Sequence, residues 1–113
     1  MVQAFLFTDA GVDHHGRFLA TRKRETERAS GTRLYSAFGA RAAGAQPATA
    51  NERNTANTSV LPHQGRLLEM WESGSAHDHD PDTLNCRGQV RWLANTVGEP
   101  FLTHFCVESD GKI

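Results

Sequence analysis

The chain has few of the residues that build a large core or mark a compartment. Its 113 residues include two cysteines, four prolines, one tyrosine and a single isoleucine, and the formal charge is −1. Two cysteines, Cys86 and Cys106, are too few for a disulfide framework. They read as the reduced thiols of a cytoplasmic protein, a bridge staying open only if they lie on neighbouring strands. A charge near zero gives no whole-molecule attraction to nucleic acid or to an anionic membrane. No apolar run is long enough to cross a bilayer. The opening Met1–Phe7 lacks the positive leader of a signal peptide. Phosphate loops of Walker or Rossmann form and the Gly-x-Ser-x-Gly elbow are also missing, so no cofactor is expected.

What remains is enough for one domain, 1–113. Its core is smaller than the 38% hydrophobic content suggests, because 14 of those residues are alanine. Leu, Ile, Val and Phe total 22, close to the level of about 20% at which folding becomes marginal.

Val2–Thr8 reads as a buried strand, closed by a turn at Asp9-Ala10-Gly11. Gly16–Ala20 starts a second strand or leads into a helix. Thr21–Ser30 reads as a helix: Lys23 and Glu27 are four apart, Glu25 and Arg28 three apart, and Gly31 is placed to end it. Arg22, Lys23, Arg24 and Arg28 do not make an anion site, because Glu25 and Glu27 interleave with them. A mobile loop is expected at 39–58, which has almost no large apolar side chains to offset its ordering entropy. Arg66–Glu72 fits a strand or a short helix. Ser73–Asp82, polar and acidic with Gly74 and Pro81, reads as a loop. Two alternating runs about Val97–Pro100 read as a hairpin over 88–108, and Asp110-Gly111 is a further turn signal. The fold class is α+β, a small curved antiparallel sheet with one or two short helices.

Two histidine groups attract attention. His14 and His15 follow Asp13, and His77 and His79 sit in His-Asp-His-Asp. A His-x-His spacing can present two imidazoles on one side of an extended segment. The competing reading of 77–82 is a hydrated acidic turn. His104, within a predicted strand, fits a half-buried packing residue, or a base if it pairs with Asp9 or Asp13. Cys86 reads as inert, and Trp71 and Trp92 as core anchors.

Short pieces resemble the SnoaL-like α+β cone family of cyclases and dehydratases. They are Leu6–Val12, with its early aspartate; the glycine turn His15–Phe18; Asn51–Val60, similar to an Arg-His-x-x-x-Asn-x-x-Val segment with Asn54 at the histidine position; and the Asp-Gly-Lys-Ile turn in Phe105–Ile113. That resemblance implies a sheet curved about an apolar pocket, and a domain that binds a small organic molecule or acts on it as a cyclase, isomerase or dehydratase. Asp9 and His104 are then the acid–base candidates, and Phe5, Phe7, Trp92, Phe101 and Phe105 the pocket. Gly88–Trp92 with Val107–Ile113 also resembles one blade of a pyrroloquinoline-quinone-type propeller, which a single blade cannot close. The alternatives are a divalent-metal module on His14, His15, His77 and His79, or a partly disordered accessory chain without catalysis. Exposed hairpin edges make a homodimer plausible.

Overall fold

The computed structural model describes residues 1–36, 49–91 and 108–110. Within them the chain forms antiparallel sheets with two short helices, so the coarse α+β class holds. The hairpin expected over 88–108 lies largely outside the described residues, as do positions 39–48 of the expected loop. No helix among the described residues is long and apolar enough to cross a membrane.

Strand β1 (Val2–Thr8) pairs antiparallel with β2 (Gly11–Arg17) through a two-residue turn at Asp9-Ala10. Gly11 sits at φ 140°, a conformation that residues with a Cβ rarely adopt. The second strand therefore starts earlier than Gly16.

Helix α1 (Arg22–Ser30) forms as its charge pattern predicts. The Thr21 hydroxyl caps it by accepting from the Arg24 N–H, and Gly31 ends it in the left-handed region. Lys23 meets Glu27 at 2.8 Å. The same carboxylate accepts the N–H groups of Leu34 and Tyr35, each at 3.0 Å, so it ties the following segment back onto the helix.

Helix α2 (Ala50–Arg53) lies in the stretch read as a loop. A reciprocal capping box forms it: Thr49 accepts from the Glu52 N–H, and Glu52 accepts from the Thr49 N–H.

Strands β3 (Ser59–His63), β4 (Arg66–Trp71), β5 (Gly74–His79) and β6 (Cys86–Gln89) form a four-stranded antiparallel sheet in sequence order. Gln64 (φ 48°) and Gly65 (φ 71°) make the β3–β4 turn. Positive φ at both central residues suits the right-handed twist of a hairpin. Arg66–Trp71 is thus a strand.

The largest departure from expectation is β5. Ser73–Asp82 reads as a polar loop, yet every residue of Gly74–His79 is buried. The reason is tertiary. β5 lies between β4 and β6, and both of its faces are covered. On one face Ala76 joins Leu61, Leu68, Met70 and Val90. On the other, Val2, Leu19, Ala56 and Leu84 cluster with Leu67, which pairs with His79. Helix α2 closes the start of the strand. Asn51 Oδ1 accepts the Ser75 N–H at 2.9 Å, and Asn54 Nδ2 donates to the Ser75 carbonyl at 2.8 Å. A Cβ on Gly74 would lie 2.5 Å from Asn54 Nδ2, so only glycine lets α2 approach this closely.

Candidate functional site

Alternation along the strands places Leu67 and Glu69 of β4 on one face with Ser75, His77 and His79 of β5. Glu69 is directly opposite His77, and His79 lies between Leu67 and Cys86. Glu69, His77 and His79 are only 1%, 2% and 1% exposed. His79 Nδ1 is 3.2 Å from Glu69 Oε2. The contact is short but not aligned as a hydrogen bond, and both Glu69 oxygens, both His79 ring nitrogens and His77 Nδ1 lack partners among the described residues.

Burial sets the charge state of this face. It pushes the Glu69 carboxyl up to about 7 and the His77 imidazole down to about 4, and lowers His79. Removing water disfavours the charged form of each group, so acids rise and bases fall. The Cys86 thiol is pushed up for the same reason and is free, which makes it a poor nucleophile.

Asp78 points to the opposite face, where Arg66 holds it at 2.9 Å. Beyond β5, Asp80 organises the turn into β6. Its Oδ1 accepts the N–H groups of Thr83 (2.8 Å) and Asp82 (3.0 Å), its carbonyl accepts the Leu84 N–H, and Arg87 pairs with Oδ2. Hydrogen bonds from Thr83, then Arg87 and Asp82, hold its carboxyl down at about 2. The supposed hydrated acidic turn is thus two things: a buried strand, then an aspartate-capped turn.

The sequence candidates are scattered. Asp9 is exposed in the β1–β2 turn. Phe5 and Phe7 are 56% and 77% exposed on β1, and Phe5 stacks on His14 at 4.8 Å rather than lining a cavity. His14 Nε2 lies 2.9 Å from Gln3 Oε1, and His15 is exposed. His104, Trp92, Phe101 and Phe105 lie outside the described residues. A cavity of about 380 Å³ does exist, but Phe18, Leu19, Thr21, Lys23 and Arg24 are among its lining residues. Among the described residues no three His, Cys, Asp or Glu side chains gather to hold a metal ion.

Glu69 had no place among the sequence candidates. The pattern of 66–72 left helix and strand both open, so its face was undetermined. A second polar contact was also missed. The Thr58 hydroxyl donates to Glu72 Oε2 at 3.2 Å across fourteen positions, just where β3 and β4 meet the next turn.

The family model of RPE65, the retinal pigment epithelial membrane protein, matches residues 1–113. Isoeugenol monooxygenase of Pseudomonas putida is 28% identical over 104 residues, 92% of this chain and 22% of that protein. Lignostilbene-alpha,beta-dioxygenase isozyme III of Sphingomonas paucimobilis is 31% identical over 104 residues, 92% of this chain and 21% of its own length. A mutant of the Synechocystis apocarotenoid oxygenase superposes with a TM-score of 0.73 at 27% identity, covering 90% of this chain and 22% of that one. The chain therefore spans about a fifth of the length of these relatives.

These matches overturn the SnoaL-like resemblance and, with it, the cyclase, isomerase or dehydratase reading. One of the pieces that suggested it, Leu6–Val12, holds the hairpin turn Asp9-Ala10-Gly11, a type of segment that recurs wherever strands reverse. His15–Arg17 belongs to strand β2 and Asn51–Arg53 to helix α2. The stand-alone metal module and the accessory chain without catalysis fit a match along the whole chain no better.

Proposed function

Because the chain belongs to the RPE65 family, we propose that it serves an oxygenase acting on a conjugated carbon–carbon double bond. The observation that carries this is the match of all 113 residues to the family, together with the named relatives. Isoeugenol, a stilbene and an apocarotenoid are different molecules, but each offers a double bond conjugated to an aryl ring or a polyene. Their enzymes are named as oxygenases, so the shared chemistry is insertion of oxygen at that bond.

In this reading β3–β6 is one blade of a larger propeller. A four-stranded antiparallel meander in sequence order is the form of such a blade. Activation of dioxygen by a transition metal is the usual route to such chemistry. The described residues bring together no set of three ligands, so no step is assigned to a metal here. The candidate positioning residues are Thr58 and Glu72. Solved mutants of the Synechocystis enzyme are altered at one glutamate and at one threonine fourteen positions before it. Thr58 and Glu72 are hydrogen-bonded at that same separation.

A graft tests the proposal. Crystallised chimeras of the Synechocystis oxygenase with RPE65 show that sequence can be exchanged within the family. This chain replaces the matching stretch of the Synechocystis enzyme, and circular dichroism reports folding. A folded graft is expected to convert an apocarotenoid to aldehyde, with Glu72→Gln lowering kcat at an unchanged thermal midpoint. A folded graft that leaves the polyene intact contradicts the reading.

A further inference from the structure

We propose that Glu69 and His79 form a dyad holding one proton, the carboxyl protonated and the imidazole neutral, and that this uncharged pair is a pH-sensitive latch between β4 and β5. The inference rests on the fold alone and not on the oxygenase reading.

Geometry carries it. The two side chains are sealed from solvent and 3.2 Å apart. An ion pair at that depth needs further hydrogen bonds on the carboxylate and on the second ring N–H to offset its desolvation. Glu69 Oε1 and His79 Nε2 have none among the described residues. Nor does a cation lie against the pair. Arg66 is on the other face with Asp78. His77, opposite Glu69, is itself driven neutral by burial. Cys86, opposite His79 on β6, is a thiol whose ionisation burial disfavours, with Glu69 and Glu25 of α1 acting the same way. The His77 backbone and the Asp78 carboxylate favour an imidazolium at His79, but burial outweighs them and leaves the ring lowered. The amino terminus acts on the pair, favouring the carboxylate yet opposing an imidazolium. A carboxylic acid beside a neutral imidazole satisfies all this with no net charge.

Loss of the proton leaves a bare carboxylate in an apolar seam, and the two strands then separate more readily. In the folded chain Glu69 keeps its proton up to about pH 7, and the unfolded chain keeps it only to 4.5. The latch is therefore fully present below pH 4.5 and lost as pH rises through about 7.

The experiment compares the full chain with Glu69→Gln, which keeps the shape and cannot ionise. Thermal midpoints are taken from about pH 4 to about pH 8, so that titration common to both chains cancels. The midpoint of the parent relative to the variant is expected to fall between pH 4.5 and about 7 and then level off. Amide exchange over 74–79, corrected for its intrinsic pH dependence, is expected to accelerate over the same interval in the parent and not in the variant. A relative midpoint that rises with pH, or stays flat, overturns the proposal. An ionised pair also makes it fall, as its imidazolium loses a proton, so carbon NMR of the Glu69 carboxyl in the parent decides between the two, whether or not Glu69→Gln folds. Titration near pH 7 supports the dyad, and titration below 4.5 overturns it.

Discussion

At the scale of single residues, the structure turns on side chains whose chemistry and position disagree until the sheet is assembled. Gly74 is one. Its missing Cβ leaves the space in which Asn54 and Asn51 hold the β5 backbone. Gly74→Ala places a methyl 2.5 Å from Asn54 Nδ2 and must displace it. A loss of about 1–3 kcal/mol is expected in denaturant melts, the cost of leaving buried polar groups unpaired. Glu69 and His79 are the other case. His79→Leu alone strands a buried carboxyl and is expected to cost about 1–3 kcal/mol. Replacing both by leucine removes the unsatisfied atoms together. That double variant is expected to be nearly neutral or more stable than the parent, as when both partners of an uncharged buried polar pair are replaced by apolar groups. With the melts of the parent and of Glu69→Leu alone, these close a double-mutant cycle that shows whether the residues act as a unit.

At the scale of elements, what was legible in the sequence was what local chemistry decides. Val2–Thr8 and Thr21–Ser30 are marked by their own residues: an apolar run ended by Asp-Ala-Gly, and a threonine cap followed by charges three and four apart. The burial expected of Val2–Thr8 does not hold, since only Val2 of that strand is buried. The capping box Thr49–Glu52 and the Gln64-Gly65 turn are equally local, and the Thr-x-x-Glu spacing was a signal available to be read. β5 was not legible. Nothing within Gly-Ser-Ala-His-Asp-His announces a buried strand, because its burial comes from its neighbours β4 and β6 together with α2 and the Leu19–Leu84 cluster, and α2 and Leu19 are remote in sequence. The same holds for the candidate site: His77 and His79 drew attention as a spacing, and Glu69 became visible only through the β4–β5 register. Acid sensitivity belongs at this scale too. Hydrogen bonds hold Asp80 at about 2, against 3.8 when free. Its contribution to the β5–β6 turn is present above pH 3.8 and lost as pH falls through about 2. Asp80→Ala is expected to raise the exchange rate of the Leu84 and Asn85 amides already at neutral pH. His77 adds to the acid limb, since stability present above 6.5 is lost as pH falls toward 4.

At the scale of the whole molecule, two features stand apart. The Cα radius of gyration is 15.7 Å, against about 13 Å for a compact domain of about 100 residues. The β1–β2 hairpin also leaves Phe5, Leu6, Phe7 and Val12 exposed. Clustered exposed apolar side chains drive association. Sedimentation at rising concentration is expected to show self-association that Phe7→Ser weakens, with the midpoint moved by less than about 0.5 kcal/mol, as for other surface changes.

The α2 dock and the proton dyad both require β5 to be an interior strand despite its polar sequence. Hydrogen exchange of the 74–79 amides in the full chain tests this most directly. The expected result is protection matching that of Leu67–Glu69 on β4. Exchange as fast as at the exposed Asp9-Ala10 turn would contradict it.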